Sequence, residues 1–161
     1  MDELPLKVEL GEVEHNLALL SETPHRMAAG MVGMDDARLR TPLEEREWSL
    51  IQVLAHLRAA AEVWGDSIEA MLRLDQPEII YLRPNEHMKA AGYTTMDFYT
   101  SFNAYCYQRE ELLGSLRNLP PDAWSRPARI RGRIHTVFSQ TRRMALHELD
   151  HWEQIDRLCK A

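Results

Sequence analysis

Trp48-Ser49-Leu50-Ile51-Gln52-Val53-Leu54-Ala55-His56-Leu57 opens the helix around which the rest of the chain is organised. Ser49 followed three positions later by Gln52 is a capping box, in which a side chain and an amide at each end of the first turn satisfy one another. The helical pattern then runs unbroken to about Leu74. Projected at about 100° per residue, Val53, His56, Leu57, Ala60, Val63, Trp64, Ser67, Ile68 and Met71 share one half of the wheel. Arg58, Glu62, Asp66, Glu69 and Arg73 fill the other half, so His56 points where the apolar residues point.

Three further amphipathic segments surround this one. Before it, Leu6, Leu10, Val13, Leu17 and Leu20 recur in steps of four and three and predict a first helix over Leu6 to Leu20. Thr23-Pro24 then reads as a cap and first position of a short separate helix, which Gly30, Gly33, Asp35 and Asp36 interrupt. After it, a link from Asp75 to Thr94 with Pro77, Pro84 and Gly92 leads to a third helix marked by Phe98, Phe102, Tyr105, Leu112 and Leu116. Arg109 sits on the apolar stripe of that helix, which predicts a snorkelling stem or a buried carboxylate partner. Alternation over Arg129-Ile130-Arg131-Gly132-Arg133-Ile134 predicts a locally extended stretch. The last helix starts after Thr136 and runs to Cys159, with Val137, Gln140, Met144, His147, His151, Ile155 and Leu158 on one stripe.

These features predict one all-α domain over residues 1–161, a four-helix bundle. Composition agrees: 45% apolar and 27% charged residues with seven glycines suit one compact domain. A net charge of −6 opposes nucleic acid as a partner, because binding phosphate backbones requires a basic face. The two cysteines, Cys106 and Cys159, show neither a disulfide framework nor metal-ligand spacing. With no apolar run long enough for a membrane span and no basic leader at Met1-Asp2-Glu3, a cytoplasmic protein without a membrane partner is expected.

Seven histidines are present, and three of them occupy core stripes: His56, His147 and His151. Residues four apart on a helix stack about 5–6 Å apart, so His147 and His151 can converge on one ion. His56 lies about 10 Å below its cap, and His151 and His147 lie about 12 and 18 Å from the far end of theirs. The depths match if the two helices run antiparallel. That pairing also suits an up, down, down, up order, which needs a crossover between helices 2 and 3 that the long Asp75 to Thr94 link can span. His87 in that link is expected to be solvated, and His135 stands about 18 Å from His147 along the helix, too far for the same ion.

His147-Glu148-Leu149-Asp150-His151 has the literal H-E-x-x-H spacing of zinc proteases. Asp150 places a charge inside the motif, and the metzincin continuation would need glycine at Gln154 and histidine at Arg157, so a protease is not expected. Glu148 and Asp150 project to either side of the histidine pair. Each is a candidate to orient a ligand ring or accept a proton. Arginines 126, 129, 131 and 133 form a basic loop that either meets an anionic substrate or is simply solvated.

Trp48-Ser49 opening a helix that contains Leu54-Ala55-His56-Leu57, a long link, and a last helix with His147-x-x-x-His151 followed by Gln154-Ile155 resemble the DinB-like superfamily over essentially the whole chain. The resemblance implies an up-down-down-up bundle whose three histidines, by position His56, His147 and His151, hold zinc, nickel or a similar divalent ion. It also implies transfer or isomerisation chemistry with low-molecular-weight thiols such as mycothiol and bacillithiol. The expected function is thus a metal-dependent enzyme for a small molecule, either a thiol S-transferase or a hydrolase. The competing readings are a non-catalytic metal-binding or stress-response module, homodimeric through exposed helix faces, and a metal-free bundle.

Overall fold

The computed structural model describes residues 7–160. Four long helices form the bundle: α1 (Leu10–Gly30), α3 (Leu50–Arg73), α5 (Phe98–Arg117) and α6 (Val137–Lys160). Two short ones, α2 (Asp36–Arg40) and α4 (Pro84–Ala91), lie in the links. The capping box holds, with the Ser49 amide and hydroxyl both donating to Gln52 Oε1 at 2.8 and 3.2 Å. Below it α3 buries fifteen residues, from Leu50 to Met71, and is the central element of the core.

Cross-helix contacts give the directions. On α1 and α6, Glu12 meets Arg142, Thr23 meets Trp152 and Arg26 meets Asp156, so these two run parallel. His56 and Trp64 of α3 meet His151 and His147 of α6 in reverse order, so that pair is antiparallel. Arg58 meets Ser101 of α5 while Gly65 lies near Gln108, which makes α3 and α5 parallel. The four directions are up, down, down and up. The link from Leu74 to Asp97 therefore joins the end of one helix to the start of a parallel neighbour.

Helix α1 departs from its expected bounds. Leu6 lies outside the described residues, Leu10 is exposed, and the helix continues through Pro24 to Gly30 instead of stopping at Leu20. Proline inside a helix leaves the carbonyl four residues earlier without its amide donor. Here that carbonyl belongs to Leu20, and Arg109 Nη1 donates to it at 2.8 Å from α5. The freed acceptor is therefore satisfied from a neighbouring helix, and the chain has no need to break.

The all-α expectation holds for the bundle, with a small sheet added at one end. The extended stretch is a hairpin of β2 (Pro127–Ile130) and β3 (Arg133–Thr136), and β1 (Glu78–Ile79) pairs parallel to β2. Its two-residue turn puts Arg131 and Gly132 at φ 50° and 75°, the left-handed pair that matches strand twist. Helix α4, inside the Asp75 to Thr94 link, starts with Pro84 and ends at Gly92 with φ 70°. It carries Asn85 to the site described below.

Gly30, at the end of α1, packs against the last turn of α6. A Cβ at this position would stand 2.4 Å from Cys159 Sγ and 2.7 Å from Cys159 Cβ. Gly30→Ala is expected to cost about 1–3 kcal/mol by overpacking, even though alanine is the better helix former. Urea unfolding measures it, and an unchanged midpoint would show that the two helix ends are free to separate.

Candidate metal centre

His56 leaves α3 on the side that faces α6, and His147 and His151 leave α6 one turn apart. Their ring centroids form a near-equilateral triangle with sides of 4.8, 4.8 and 5.1 Å. One nitrogen from each ring lies within 4.8 Å of the others, and all three rings are half-buried. Trp48 packs 5.1 Å from the His56 ring, and Trp64 meets His147 edge-on at 4.9 Å. The predicted triad is thus one cluster, with His135 and His87 outside it.

The outer nitrogens decide what the cluster can bind. His56 Nδ1 lies 2.8 Å from Asn85 Oδ1, and His151 Nδ1 lies 2.8 Å from Gln154 Oε1. A carboxamide oxygen only accepts, so each Nδ1 carries the hydrogen and each Nε2 keeps a free lone pair. Outer partners of this kind fix ring orientation and tautomer in metal sites. His147 Nδ1 is buried with no partner among the described residues. Its Nε2 faces His56 Nε2 at 2.8 Å, where it must donate, since the His56 nitrogen has only a lone pair. Three neutral nitrogen donors with no thiolate or carboxylate among them suit a borderline cation such as zinc or nickel rather than calcium or magnesium.

Burial also favours the neutral form of His56 and His147. Desolvation lowers the His56 pKa against the opposing Asn85 hydrogen bond. For His147, burial first, then the neighbouring His56, His151 and Arg143, bring the pKa down to about 3. The unfolded ring takes up a proton near its usual value of about 6.5, so in metal-free protein the unfolded state binds more protons between those limits. Stability is then expected to fall as pH drops from about 6.5 toward about 3. Urea midpoints across that range in wild type and His147→Gln test this. Equal slopes in the two proteins would remove His147 as the source.

The two acidic candidates separate. Asp150 is exposed and lines a cavity of about 1260 Å³ together with His56 and His147. Glu148, expected beside the ligand rings, is 1% exposed on another side of α6. Arg109 Nη1 donates to its Oε1 at 2.7 Å and Arg109 Nη2 to its Oε2, so neither oxygen contacts an imidazole. That contact also answers the Arg109 question in favour of a buried carboxylate. His87, expected to be solvated, is paired with Glu62 Oε2 at 2.6 Å, where the Tyr93 hydroxyl also donates.

The loop arginines divide as well. Arg126 donates to the carbonyls of Met71 and Leu74 and closes the end of α3, and Arg129 donates to Gly132 O within the hairpin. Arg131 and Arg133 line the cavity. Sequence reasoning misses Asn85 because it assigns no helix within the Asp75 to Thr94 link, although Pro84 and Gly92 bracket a short helix in the usual order. A smaller cleft of about 330 Å³ reaches His151 and Gln154 from the side of Trp48.

Comparison with known proteins agrees with this geometry. No curated protein sequence matches significantly. Among solved structures, YfiT from Bacillus subtilis is described as a probable metal-dependent hydrolase with an unusual four-helix bundle topology. It superposes with a TM-score of 0.81 at 18% identity, over 96% of this chain and 89% of that one, which shows a shared fold. A sequence profile of the DinB superfamily matches residues 19–155, and on that span the chain belongs to the DinB superfamily.

Proposed function

We propose that this chain is a divalent-metal-dependent enzyme acting on a small electrophilic molecule by hydrolysis or by transfer of a low-molecular-weight thiol. The observation that carries the reading is the convergence of His56, His147 and His151 beside an open cavity, with two of their tautomers set by Asn85 and Gln154. An ion held by three neutral imidazoles supplies Lewis acidity at positions the protein leaves open. The likeness to YfiT, described as a probable metal-dependent hydrolase, points the same way.

The chain's own groups supply the rest. Trp48 and Trp64 flank the imidazoles and limit the water around them. Asp150 lines the same cavity with no partner among the described residues, which leaves its carboxylate free to accept a proton from an attacking water or thiol. Glu148 is given no such role, because its oxygens are held by Arg109. A closed, purely structural metal site is the second reading. The exposure of two ligand rings to a large cavity favours the first.

Metal analysis of protein purified without a histidine tag tests the proposal, alongside assays with small esters and thiol conjugates. About one equivalent of a divalent ion is expected in wild type, with loss of metal and activity together in His56→Gln. Asp150→Asn is expected to lower kcat at unchanged metal content. Wild-type protein that takes up no divalent ion would end the reading, and a loaded protein inert in every assay would leave the structural one.

A further inference from the structure

The cavity beside the triad is basic in an acidic chain. Its charged lining consists of Arg83, Arg131, Arg133, Arg142 and Arg143 against Glu86 and Asp150, while the whole chain carries −6. Two of these arginines are occupied, Arg142 by Glu12 and Arg83 by Glu86. Arg131, Arg133 and Arg143 have no carboxylate partner among the described residues. Such guanidinium groups present planar, always charged donors suited to carboxylate and phosphate.

Arg143 is the one nearest the triad. It stands one turn before His147 on α6, about 6 Å along the axis, and its guanidinium lies 4.8 Å from the centre of the Trp64 ring. The same Trp64 ring meets His147. Trp64 is 5% exposed, and its indole N–H has no partner among the described residues. His135, 6% exposed, lines the cavity too, and its ring makes no hydrogen bond among the described residues. Burial, then Arg143 and Arg133, lower its pKa, which places a neutral imidazole beside those two cations. The buried indole N–H of Trp64, left without a partner among the described residues next to uncompensated guanidinium groups, needs an explanation, because buried polar atoms are nearly always satisfied.

We propose that the cavity takes a small molecule bearing an anionic group, a carboxylate or a phosphate, which Arg143 and Arg133 hold beside Trp64 and His135 while the remainder lies against the three imidazoles. The location of the reacting end rests on the metal-enzyme reading, whereas the anion subsite does not need it. The substrate class is thereby narrowed to acidic small molecules whose anionic end is about one helical turn from the bond that reacts.

Calorimetric titration of metal-free protein tests this, with inorganic phosphate and malonate as probes and malonamide as the neutral control. Phosphate or malonate is expected to bind and malonamide not, and the better of the two anions identifies the group. Arg143→Gln and Arg133→Gln are each expected to weaken binding about tenfold, the loss of one charge-assisted contact. Arg143→Lys should recover part of that, and Arg83→Gln should change little. Should Arg143→Gln fail to fold, Arg133→Gln on the exposed hairpin decides. Equal binding of malonamide, no binding of either anion, or binding untouched by both glutamine variants would overturn the subsite. Retained anion binding in His56→Gln, with its metal lost, would show the two readings to be independent.

Discussion

Glu148→Ala is expected to destabilise the fold by about 3–5 kcal/mol, the largest effect of any single substitution argued for this chain. Arg109 and Glu148 are 2% and 1% exposed and form two parallel N–H···O contacts between α5 and α6. Burial alone pulls the Arg109 pKa down, and Glu148 more than offsets it, so the guanidinium stays charged deep in the core. Removing the carboxylate strands that charge. Among the described residues the Arg109 guanidinium would keep the Leu20 carbonyl, a weak contact with Met144 Sδ at 4.0 Å and the face of Tyr105, 5.1 Å from its ring centre.

The double replacement Arg109→Met with Glu148→Leu is expected to cost far less than Glu148→Ala, since an apolar pair carries no desolvation penalty. It would still orphan Leu20 O, the acceptor that Pro24 deprives of its helical donor. Adding Pro24→Ala restores that amide and should recover about 1–3 kcal/mol relative to the double variant. Urea unfolding of the three proteins checks the chain of reasoning. A Glu148→Ala variant within about 1 kcal/mol of wild type would mean that water reaches Arg109 and that the pair is not sealed.

The same residues show where sequence stops being informative. The capping box at Ser49 and the stripe through His56 were readable because both depend on contacts within one or two turns. The triad was readable because its members stand out against an apolar stripe and because helix rise converts their positions to depths. Pro24 was misread for the opposite reason. Whether a proline ends a helix depends on what satisfies the stranded carbonyl, and here that is Arg109, 89 residues away from Leu20. Glu148 failed on the same ground: a helical wheel gives its angle from the histidines but not which neighbour lies at that angle. Asn85 needed only closer attention to Pro84 and Gly92, whereas its contact with His56 needed the fold.

Chelation is expected to lower the unfolding free energy of the metal-loaded protein by about 4 kcal/mol when the free ion had stood at about 1,000 times its Kd. An ion that binds only the folded chain stabilises it by mass action, and the triad exists only when α3 meets α6. The stabilisation should therefore grow with ion concentration and vanish in His147→Gln and His56→Gln, whose metal-free forms are expected to fold. Asn85→Ala should weaken it without abolishing it, about 10–100-fold in affinity, because Asn85 only orients the His56 ring and fixes its tautomer. Ligation through His147 Nε2 requires the proton it shares with His56 to leave that nitrogen, and its buried Nδ1 has no partner among the described residues to receive the hydrogen bond that would follow. Proton release on metal binding, measured as a buffer-dependent heat, is the corresponding signature. An unfolding midpoint that ignores zinc, nickel and chelator alike would reduce the three imidazoles to a hydrogen-bonded packing feature between two helices.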